Sequence, residues 1–430
     1  MNRFFLPGLV VLVLLCSCHS SSRPLIDAVY ADSLVMHYRP SPAAVTTDSD
    51  RVFWQARMQV RPEDFVNGPK YASSLLTSFH QTGNIAYLLK ADSLVQRAGQ
   101  ATREPDPSLS RSLAALSVLT HHFSGADTFL TKAIAAEGNN FANNATAFDI
   151  RFERGDYGKA KSLLISLEKG RNYPYLFRRS KLEHYNGSLD SAISCMLEAA
   201  TKSSNNAYLR QAALSNAADL CLHKGDAARA ADLYKECVRL NSSDFHSIQG
   251  LGLIALLHDN NPVLAEKLFQ FTKQHYQSPD VLLRLEAVAE ARGDTAEAKK
   301  AARDFVNAVN DPAVRYMYSK YLIDLYTRLL NDPSTAVDLA AAEIYNRPTP
   351  QVFAWYAWSL YCNGENEKAM EVYKHHVSGQ PLEGPELYYM GRMMQGMHQL
   401  YNAGAYYKAA MKNLYDLTPF QISDIKAFSP

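Results

Sequence analysis

The sequence predicts an all-α protein, an α-α superhelical solenoid of about ten helical hairpins with a cap at each end. Ten alanines recur in phase at intervals of 32 to 38 residues. They are Ala91, Ala126, Ala160, Ala192, Ala230, Ala265, Ala298, Ala336, Ala369 and Ala403. The residue four positions after each alanine is usually large and apolar or aromatic, which places both on one face of a helix. Turn signals recur in the same phase, and no strand pattern of comparable strength is present.

The stretch 211–244 shows the repeated unit in its clearest form. Two runs with helical periodicity, Gln211–Lys224 and Ala227–Leu240, flank a break at Gly225 and Asp226. Glycine allows the first helix to end in a left-handed turn, and aspartate caps the second helix. This pattern predicts a helical hairpin whose small facing residues let the two helices approach closely.

Comparable breaks mark the other hairpins and are followed by the next helix start. They occur at Gly155-Asp156, Gly187-Ser188, Gly293-Asp294 and Gly364-Glu365, with asparagine variants at Asn260-Asn261-Pro262 and Asn331-Asp332-Pro333. Proline suits the first position of a helix because the N–H it lacks would have no partner there. The spacing predicts that the solenoid covers residues 71–417.

Charge and length exclude some function classes. The 430 residues include 44 Lys and Arg against 43 Asp and Glu, a net charge of +1, and like charges do not form long runs. A nucleic-acid binder usually carries a basic patch, so this balance argues against nucleic acid as a partner. In a repeat protein the length counts stacked units rather than separate globular domains.

The amino-terminal segment has the layout of a secretory signal. Arg3 precedes an apolar run from Phe4 to Leu15, which is too short to span a bilayer comfortably. Ser17-Cys18 at the end of this run resembles a bacterial lipobox, in which a small residue precedes the cysteine that receives the lipid. The resemblance implies a lipoprotein signal peptide over residues 1–17 and lipid attachment at Cys18. An ordinary secretory signal with an incidental cysteine is the alternative.

The regions flanking the solenoid are interpreted from composition and turn signals. Residues 18–50 are predicted to be a tether and linker, and residues 51–70, which are rich in aromatics, an N-terminal cap on the stack. Residues 418–430 are predicted to be a C-terminal capping helix, with Thr418 as the cap and Pro419 as the first helical residue. The tether lacks an acidic run of the kind that resembles a surface-export signal, which favours a periplasmic location in a bacterial envelope.

The hairpin pattern resembles the tetratricopeptide repeat (TPR), a motif of about 34 residues. The residues that carry the resemblance in its clearest unit are Leu214, Ala217, Ala218, Cys221, Ala230, Tyr234 and Cys237. It extends over about four fifths of the chain and is strongest in 141–172, 211–244 and 350–383. Phe148 and Glu286 depart from it, because they occupy first-helix positions that are usually glycine or alanine.

The TPR resemblance implies a concave wall formed by the first helix of each hairpin. Mapped onto this sequence, the wall gives the candidate groove residues Phe152, Phe177, Lys181, His184, Tyr185, His223, Trp358 and Tyr361. The same mapping adds Asp149, Asp219, Tyr388 and Arg392. Aromatics beside a few charges are suited to an extended peptide or a partner helix. The alternative is that some of these side chains pack against neighbouring first helices.

Motifs of catalysis and metal binding are few. The sequence has no phosphate-binding glycine loop, HExxH, GxSxG or CxxC. Residues 166–169 match SxxK, but an apolar helical pattern explains them and the partner motifs of that enzyme class are missing. His121-His122 and His375-His376 are adjacent pairs that point about 100° apart on a helix, so no metal site is predicted. No cofactor is expected.

These observations together favour a non-enzymatic scaffold. We expect a membrane-tethered adaptor that binds another cell-envelope protein through its concave groove. A SusD-like glycan- or nutrient-binding lipoprotein is the main alternative, with Trp355 and Trp358 as aromatic platforms, although the short intervals leave little room for sugar-binding loops. An enzyme is the third possibility and would need a pocket of convergent titratable groups.

Overall fold

A computed structural model describes residues 24–428 except 63, 65 and 102–105, and for residues 42–45 it describes the backbone alone. The described part of the chain is helical throughout, with turns between the helices and no strand. Consecutive helices pack as antiparallel pairs, and each pair packs on the next. The predicted α-α solenoid is therefore confirmed.

The α-helices are, in chain order, α1 (Ala28–Met36), α2 (Pro42–Val60), α3 (Asn67–Thr82), α4 (Ile85–Ala101), α5 (Pro107–Leu119), α6 (Phe123–Glu137), α7 (Phe141–Glu153), α8 (Tyr157–Leu167), α9 (Tyr173–Tyr185), α10 (Leu189–Lys202), α11 (Ala207–Lys224), α12 (Ala227–Leu240), α13 (Phe245–Leu257), α14 (Pro262–His275), α15 (Asp280–Ala291), α16 (Thr295–Ala308), α17 (Arg315–Arg328), α18 (Pro333–Asn346), α19 (Pro350–Cys362), α20 (Asn366–Val372), α21 (Gly384–Gly396), α22 (Leu400–Ala410) and α23 (Pro419–Ala427). A π-helical turn (Tyr373–Val377) extends α20, and a 3-10 turn (Met411–Asp416) follows α22. We number the hairpins 1 to 10, from α3 with α4 to α21 with α22.

The periodic alanines lie where the helices approach most closely. Each of the ten is at most 1% exposed. Large residues fill the space between hairpins, and Tyr234 of α12 lies against the backbone of α13. A Cβ atom added at Gly250 would come within 2.4 Å of the Tyr234 ring. Small residues thus set the spacing within the stack, and aromatic residues fill the gaps that this spacing leaves.

The turns between paired helices form as their sequences predict. Gly225 has a φ of +92°, and the Asp226 carboxylate accepts a hydrogen bond from the Arg229 N–H at 3.1 Å. Asn260 and Asn331 take the same left-handed conformation, with φ of +50° and +54°. Asparagine tolerates this region better than other residues with a side chain, which explains why it substitutes for glycine here. At the turns before α10 and α20 the cap residues make no side-chain hydrogen bond.

Residues 18–50 differ from the predicted tether and linker over their described part. They contain α1 and the first half of α2, which crosses the predicted boundary at residue 50. The chain is fixed ahead of α1 because the N–H groups of Leu25 and Ile26 donate to the Asp259 carboxylate, both at 2.9 Å. Ile26 and Ala31 are buried against hairpins 5 and 6. The surface on which α1 packs lies more than 200 residues away in the sequence, so the residues of α1 alone do not predict this contact.

Helices α2 and α23 cover the two ends of the stack. Trp54 and Met58 of α2 pack on the apolar cluster of hairpins 1 and 2. At the other end, Thr418 and Gln421 form a capping box that starts α23, and Ile422 is buried beneath it. Helix α23 also contacts α15, an earlier part of the solenoid, so it joins two regions as well as covering the last hairpin.

Successive turns of the superhelix contact each other. The Gln277 N–H donates to the Thr82 carbonyl at 2.6 Å, and Asn346 Nδ2 donates to the His121 carbonyl at 2.7 Å. Further along, His223 Nδ1 lies 2.7 Å from an oxygen of the Asp416 carboxylate. Asn346 and His121 are 225 residues apart, and His223 and Asp416 are 193 apart. The chain therefore returns to itself after five to six hairpins, which encloses much of the concave face.

The predicted signal peptide and Cys18 lie outside the described residues, so their assignment stays a prediction. Within the described ranges, no helix has both the length and the apolar character needed to cross a bilayer.

We predict that Asn346→Ala destabilises the fold by about 1–3 kcal/mol, because it leaves buried backbone groups without partners. Asn346 is fully buried, and besides its bond to His121 its Oδ1 accepts from the Ser124 N–H at 3.3 Å. Chemical denaturation followed by circular dichroism measures the change. The matched control, Asn402→Ala on the exposed face of α22, should shift stability by less than about 0.5 kcal/mol. Equal effects of the two changes would show that the contact between turns contributes little.

Candidate functional site

Two adjoining cavities lie on the inner face of the superhelix. The larger cavity, of 440 Å³, is bounded by α11, α13, α15, α17 and the segment from α21 to α23. The smaller cavity, of 320 Å³, is bounded by α7, α9, α17, α19 and α21. Lys320, Tyr321 and Glu383 line both. Nearly all of these elements are first helices of hairpins, so the inner wall has the composition that the TPR resemblance implies.

Five of the predicted groove residues line these cavities. Phe152, Lys181, His184 and Tyr185 lie on the wall of the smaller cavity. His223 lies on the wall of the larger one. His184 and His223 meet where the cavities adjoin, with ring centroids 4.7 Å apart in an edge-to-face arrangement. First-helix residues 152, 181, 184, 185 and 223 thus lie on the walls of the two adjoining cavities.

The other three predicted groove residues lie outside both cavities. Trp358 is 9% exposed, stacks on Tyr389 at a centroid distance of 5.4 Å and donates its indole N–H to Thr327 Oγ1 at 3.1 Å. Tyr361 stacks on Trp358, and Phe177 stacks on Tyr173 of its own helix. These side chains pack between neighbouring helices, which is the alternative that the sequence left open.

One wall of the smaller cavity is aromatic. The rings of Tyr157 and Tyr185 stack at a centroid distance of 3.7 Å, and Phe152 meets Tyr157 edge-on at 5.3 Å. Lys181 Nζ lies 4.9 Å from the Phe152 ring centroid and 2.6 Å from an oxygen of Glu153. This lysine is held by a carboxylate and a ring together, so it is already neutralised within the wall.

The opposite wall holds a buried carboxyl group. Trp355 donates its indole N–H to Glu386 Oε1 at 2.6 Å, and the Arg347 guanidinium lies over the Trp355 ring at 5.1 Å. Arg347 Nε in turn donates to Glu343 Oε1 at 2.6 Å. Glu386 is 1% exposed, and burial raises the pKa of its carboxyl. Its second oxygen, Oε2, has no hydrogen-bond partner among the described residues.

The histidines beside this cavity are kept neutral. Burial lowers the pKa of His121 to about 4, and the positive charge of Arg347 adds to the effect. Burial also lowers the pKa of His184. The Nδ1 atom of His121 is buried and makes no hydrogen bond within the described chain. At neutral pH both rings therefore present a lone pair rather than a positive charge.

A buried ion cluster supports the wall of the larger cavity. The Arg328 guanidinium contacts Glu286 at 3.0 Å, Asp324 at 2.8 Å and also Glu290. Asp324 accepts a further hydrogen bond from the Tyr389 hydroxyl at 3.0 Å. One guanidinium faces three carboxyl groups, and burial together with the charge of Glu286 raises the pKa of Asp324 to about 7. The cluster therefore retains a proton at neutral pH on part of its carboxyl groups.

Two histidine–aspartate pairs also line the larger cavity. His246 Nε2 lies 3.0 Å from both oxygens of Asp219, and Tyr234 donates its hydroxyl to the same carboxylate at 2.6 Å. The charge of Asp219 raises the pKa of His246 to about 9. Burial works against the charged form of His223, but the hydrogen bond that its ring donates to the Asp416 carboxylate, together with the charge of that carboxylate, outweighs burial and raises the pKa of the ring. The His246 ring is therefore an imidazolium on the cavity wall at neutral pH.

Lys320 stands where the two cavities join. Burial by itself lowers the pKa of its ammonium group, but the carboxylates of Glu386, Glu383 and Asp416 outweigh burial and raise it. Lys320 makes no ion pair or hydrogen bond with any residue that the structure describes. The neighbouring carboxylates do not contact the Lys320 ammonium group directly. This charged group can therefore bind a ligand.

Sequence reasoning missed the contribution of α17 and of the first turn of α21. Lys320 and Arg328 lie on α17, onto which no groove position was mapped, and Glu386 precedes the two mapped positions of α21, Tyr388 and Arg392. One signal was present, because Glu286 occupies a first-helix position that is usually small. The structure explains this departure, since Glu286 is buried against Arg328. A charge at a normally small core position is a signal of a buried partner, which here lies on the next first helix.

Comparisons with known proteins leave the function open. No protein-family model matches the sequence, and no curated protein matches it. Among solved structures, pilF of Pseudomonas aeruginosa superimposes with a TM-score of 0.36 and 14% identity, over 50% of this chain and 97% of pilF. A tetratricopeptide repeat protein from Parabacteroides merdae ATCC 43184 gives a TM-score of 0.34 and 14% identity, over 66% of this chain and 96% of that one.

We predict that Asp219→Asn moves the pKa of His246 from about 9 toward its ordinary value of about 6.5. The ring loses the adjacent negative charge, while the asparagine keeps the shape of the carboxylate. NMR titration of the ring proton measures the shift, and Asp190→Asn, beside Lys224 on the outer surface, is the control. Unchanged titration in Asp219→Asn would contradict the pairing.

The same pair gives a pH dependence of stability with a defined sign. The pKa of His246 is higher in the folded chain than in the unfolded chain, so the pair stabilises the fold fully below pH ~6.5. The contribution is lost as the pH rises through about 9. Both side chains reach solvent, so the effect on stability is small.

Proposed function

We propose that this protein is a non-enzymatic scaffold, tethered to a membrane of the bacterial envelope, which binds an extended segment of another envelope protein in its inner cavities. The observation that carries the proposal is the convergence of aromatic and charged first-helix side chains on two adjoining cavities, where buried polar atoms find no hydrogen-bond partner among the described residues. Such atoms are costly unless a ligand or water satisfies them.

The dimensions of the cavities favour a chain segment over a folded partner. Volumes of 440 and 320 Å³ lie in the range of pockets that accept a few side chains or a small molecule. Contacts between turns, such as those of Asn346 with His121, enclose this space on one side. A segment without secondary structure can enter such a space, whereas a folded domain cannot.

The wall chemistry suits binding by side-chain anchors. The Tyr157 and Tyr185 rings are held rigidly by stacking, so they lose little conformational freedom when a ligand packs on them. Lys320 offers an unpaired charge at the junction of the cavities. The remaining cations of the smaller cavity are already paired, and we assign no covalent chemistry to the site.

The proposed anchor is lipidated Cys18, and the docking of α1 supports a fixed orientation. Leu25 is held on Asp259, and the seven residues from Cys18 to Leu25 span at most about 25 Å. A lipid on Cys18 would therefore keep hairpins 5 and 6 close to the membrane surface, leaving the rest of the solenoid free to meet a partner. The periplasmic side is the location we favour.

The glycan-binding alternative has lost its main support. Trp355 and Trp358, its suggested platforms, are 4% and 9% exposed, and both indole N–H groups donate to other side chains of the chain. Rings that bind sugars must present an open face, and these two rings are covered by Arg347 and Tyr389.

We predict that Tyr185→Ala weakens partner binding by about tenfold or more, because truncating a central aromatic anchor typically costs at least 2 kcal/mol. The measurement is quantitative affinity capture from envelope extracts, followed by titration of the enriched protein. Tyr401→Ala is the matched control, since Tyr401 is 89% exposed on the outer surface. Equal capture by the two variants would refute binding in the smaller cavity.

We predict that Cys18→Ala releases the protein from the membrane fraction into the soluble fraction, because the acyl chains are the proposed attachment. Fractionation with immunodetection provides the measurement, and Cys16→Ala serves as the control that should stay membrane-bound. Retention of the Cys18 variant on membranes would remove the lipid anchor from the proposal.

A further inference from the structure

The smaller cavity contains two buried atoms that a bound molecule must satisfy. Glu386 Oε2 and His121 Nδ1 make no hydrogen bond within the described chain, and both residues line this cavity. The Glu386 side chain is almost fully buried, and the Nδ1 atom of the partly buried His121 is enclosed as well. Glu386 lies in the first turn of α21 and His121 in the turn between α5 and α6, so they are independent observations at one place.

Both atoms act as hydrogen-bond acceptors. The first oxygen of Glu386 already accepts from Trp355, so Oε2 is the free acceptor of that carboxylate. The neutral His121 ring bonds the backbone of Tyr316 and leaves Nδ1 with a lone pair. Glu383, at the start of α21, likewise makes no side-chain cap bond and lines the same space. A ligand that satisfies all three must supply N–H or O–H donors.

The charge balance of the wall specifies a positive donor. Three cations line the smaller cavity, at Lys181, Lys320 and Arg347, against three carboxylates at Glu153, Glu383 and Glu386. Glu343 lies behind the wall and holds Arg347 at 2.6 Å, which brings the carboxylates to four. The wall therefore holds more acidic groups than cations, which favours a cationic ligand over an anionic one.

The aromatic wall is compatible with a cation. Lys181 and Arg347 already lie over ring faces here, at 4.9 Å from Phe152 and 5.1 Å from Trp355. The hydroxyls of Tyr157 and Tyr185 have no partner among the described residues and provide further acceptors. An anion attracted by Lys320 would have to approach Glu383 and Glu386 as well, which the charge balance disfavours.

We propose that the smaller cavity binds one ammonium or guanidinium group, carried by a lysine or arginine side chain of the bound peptide segment, with Glu386 and Glu383 as its anionic contacts. This inference rests on the proposed function, because it takes the ligand to be a peptide. It specifies the residue that the segment must contain.

The test uses the full-length lipidated protein in detergent and a library of capped nine-residue peptides of randomised sequence. We expect the bound peptides to be enriched in lysine or arginine. Replacing the basic residue of a selected peptide by norleucine, which keeps the alkyl chain, should weaken binding to the wild type about tenfold or more, as loss of a charge-assisted hydrogen bond implies.

Two variants assign the preference to the carboxylates. Glu386→Gln keeps an acceptor for Trp355 and should bind the basic peptide and its norleucine form with affinities within about threefold of each other. Glu383→Gln, which disturbs no hydrogen bond of the described chain, should reduce the preference as well. Glu297→Gln, on the exposed face of α16, is the control that keeps it.

The outcomes separate this inference from the proposed function. Peptides that bind without enrichment in basic residues, or with enrichment in acidic ones, would overturn the inference and leave the scaffold role standing. Failure of the wild type to bind any peptide would overturn both. Free n-butylamine that binds as tightly as the basic peptide would overturn the peptide assignment, because the ligand would then be a small amine.

Discussion

Close approach between paired helices is the constraint from which the other features of this protein follow. The ten periodic alanines have almost no exposed surface, so the two helices of each hairpin pack tightly at the position of the alanine on the second helix. Large aromatics such as Tyr234 then fill the space toward the next hairpin. The stacked hairpins curve, and after five to six of them the chain contacts its own earlier surface. The cavities lie inside that turn.

The buried charges support the inner wall. Arg328 on α17 contacts Glu286 and Glu290 on α15, and the bond from Tyr389 to Asp324 extends the link to α21. A buried pair of this kind adds little net stability but strongly penalises arrangements in which one partner is lost. It therefore holds the first helices in register, so that the acceptors of the smaller cavity keep their positions.

The sequence predicts the repeating part of the fold well, because each hairpin encodes its own helices, turn and core stripe. Gly225-Asp226 is a local signal, and the structure forms the predicted turn there. The contacts that close the superhelix were not predictable in this way. Asn346 reads as an ordinary residue at a helix end, and only the curvature accumulated over five hairpins brings it to His121. For the site, mapping by repeat position located Tyr185 and His223 but missed Lys320 and Glu386, since no position was mapped onto α17 and only Tyr388 and Arg392 were mapped onto α21.

The return of the chain onto itself changes how such a protein loses its structure. An open solenoid behaves as a one-dimensional array in which terminal units fray and units can be added or removed one at a time. Here His223 contacts Asp416 across 193 residues, so this contact forms only when the early and the late hairpins are both folded. Contacts of such sequence separation slow folding and couple distant hairpins into one cooperative transition. The number of hairpins is consequently fixed by geometry, and deletion of a single unit would leave the two surfaces out of phase.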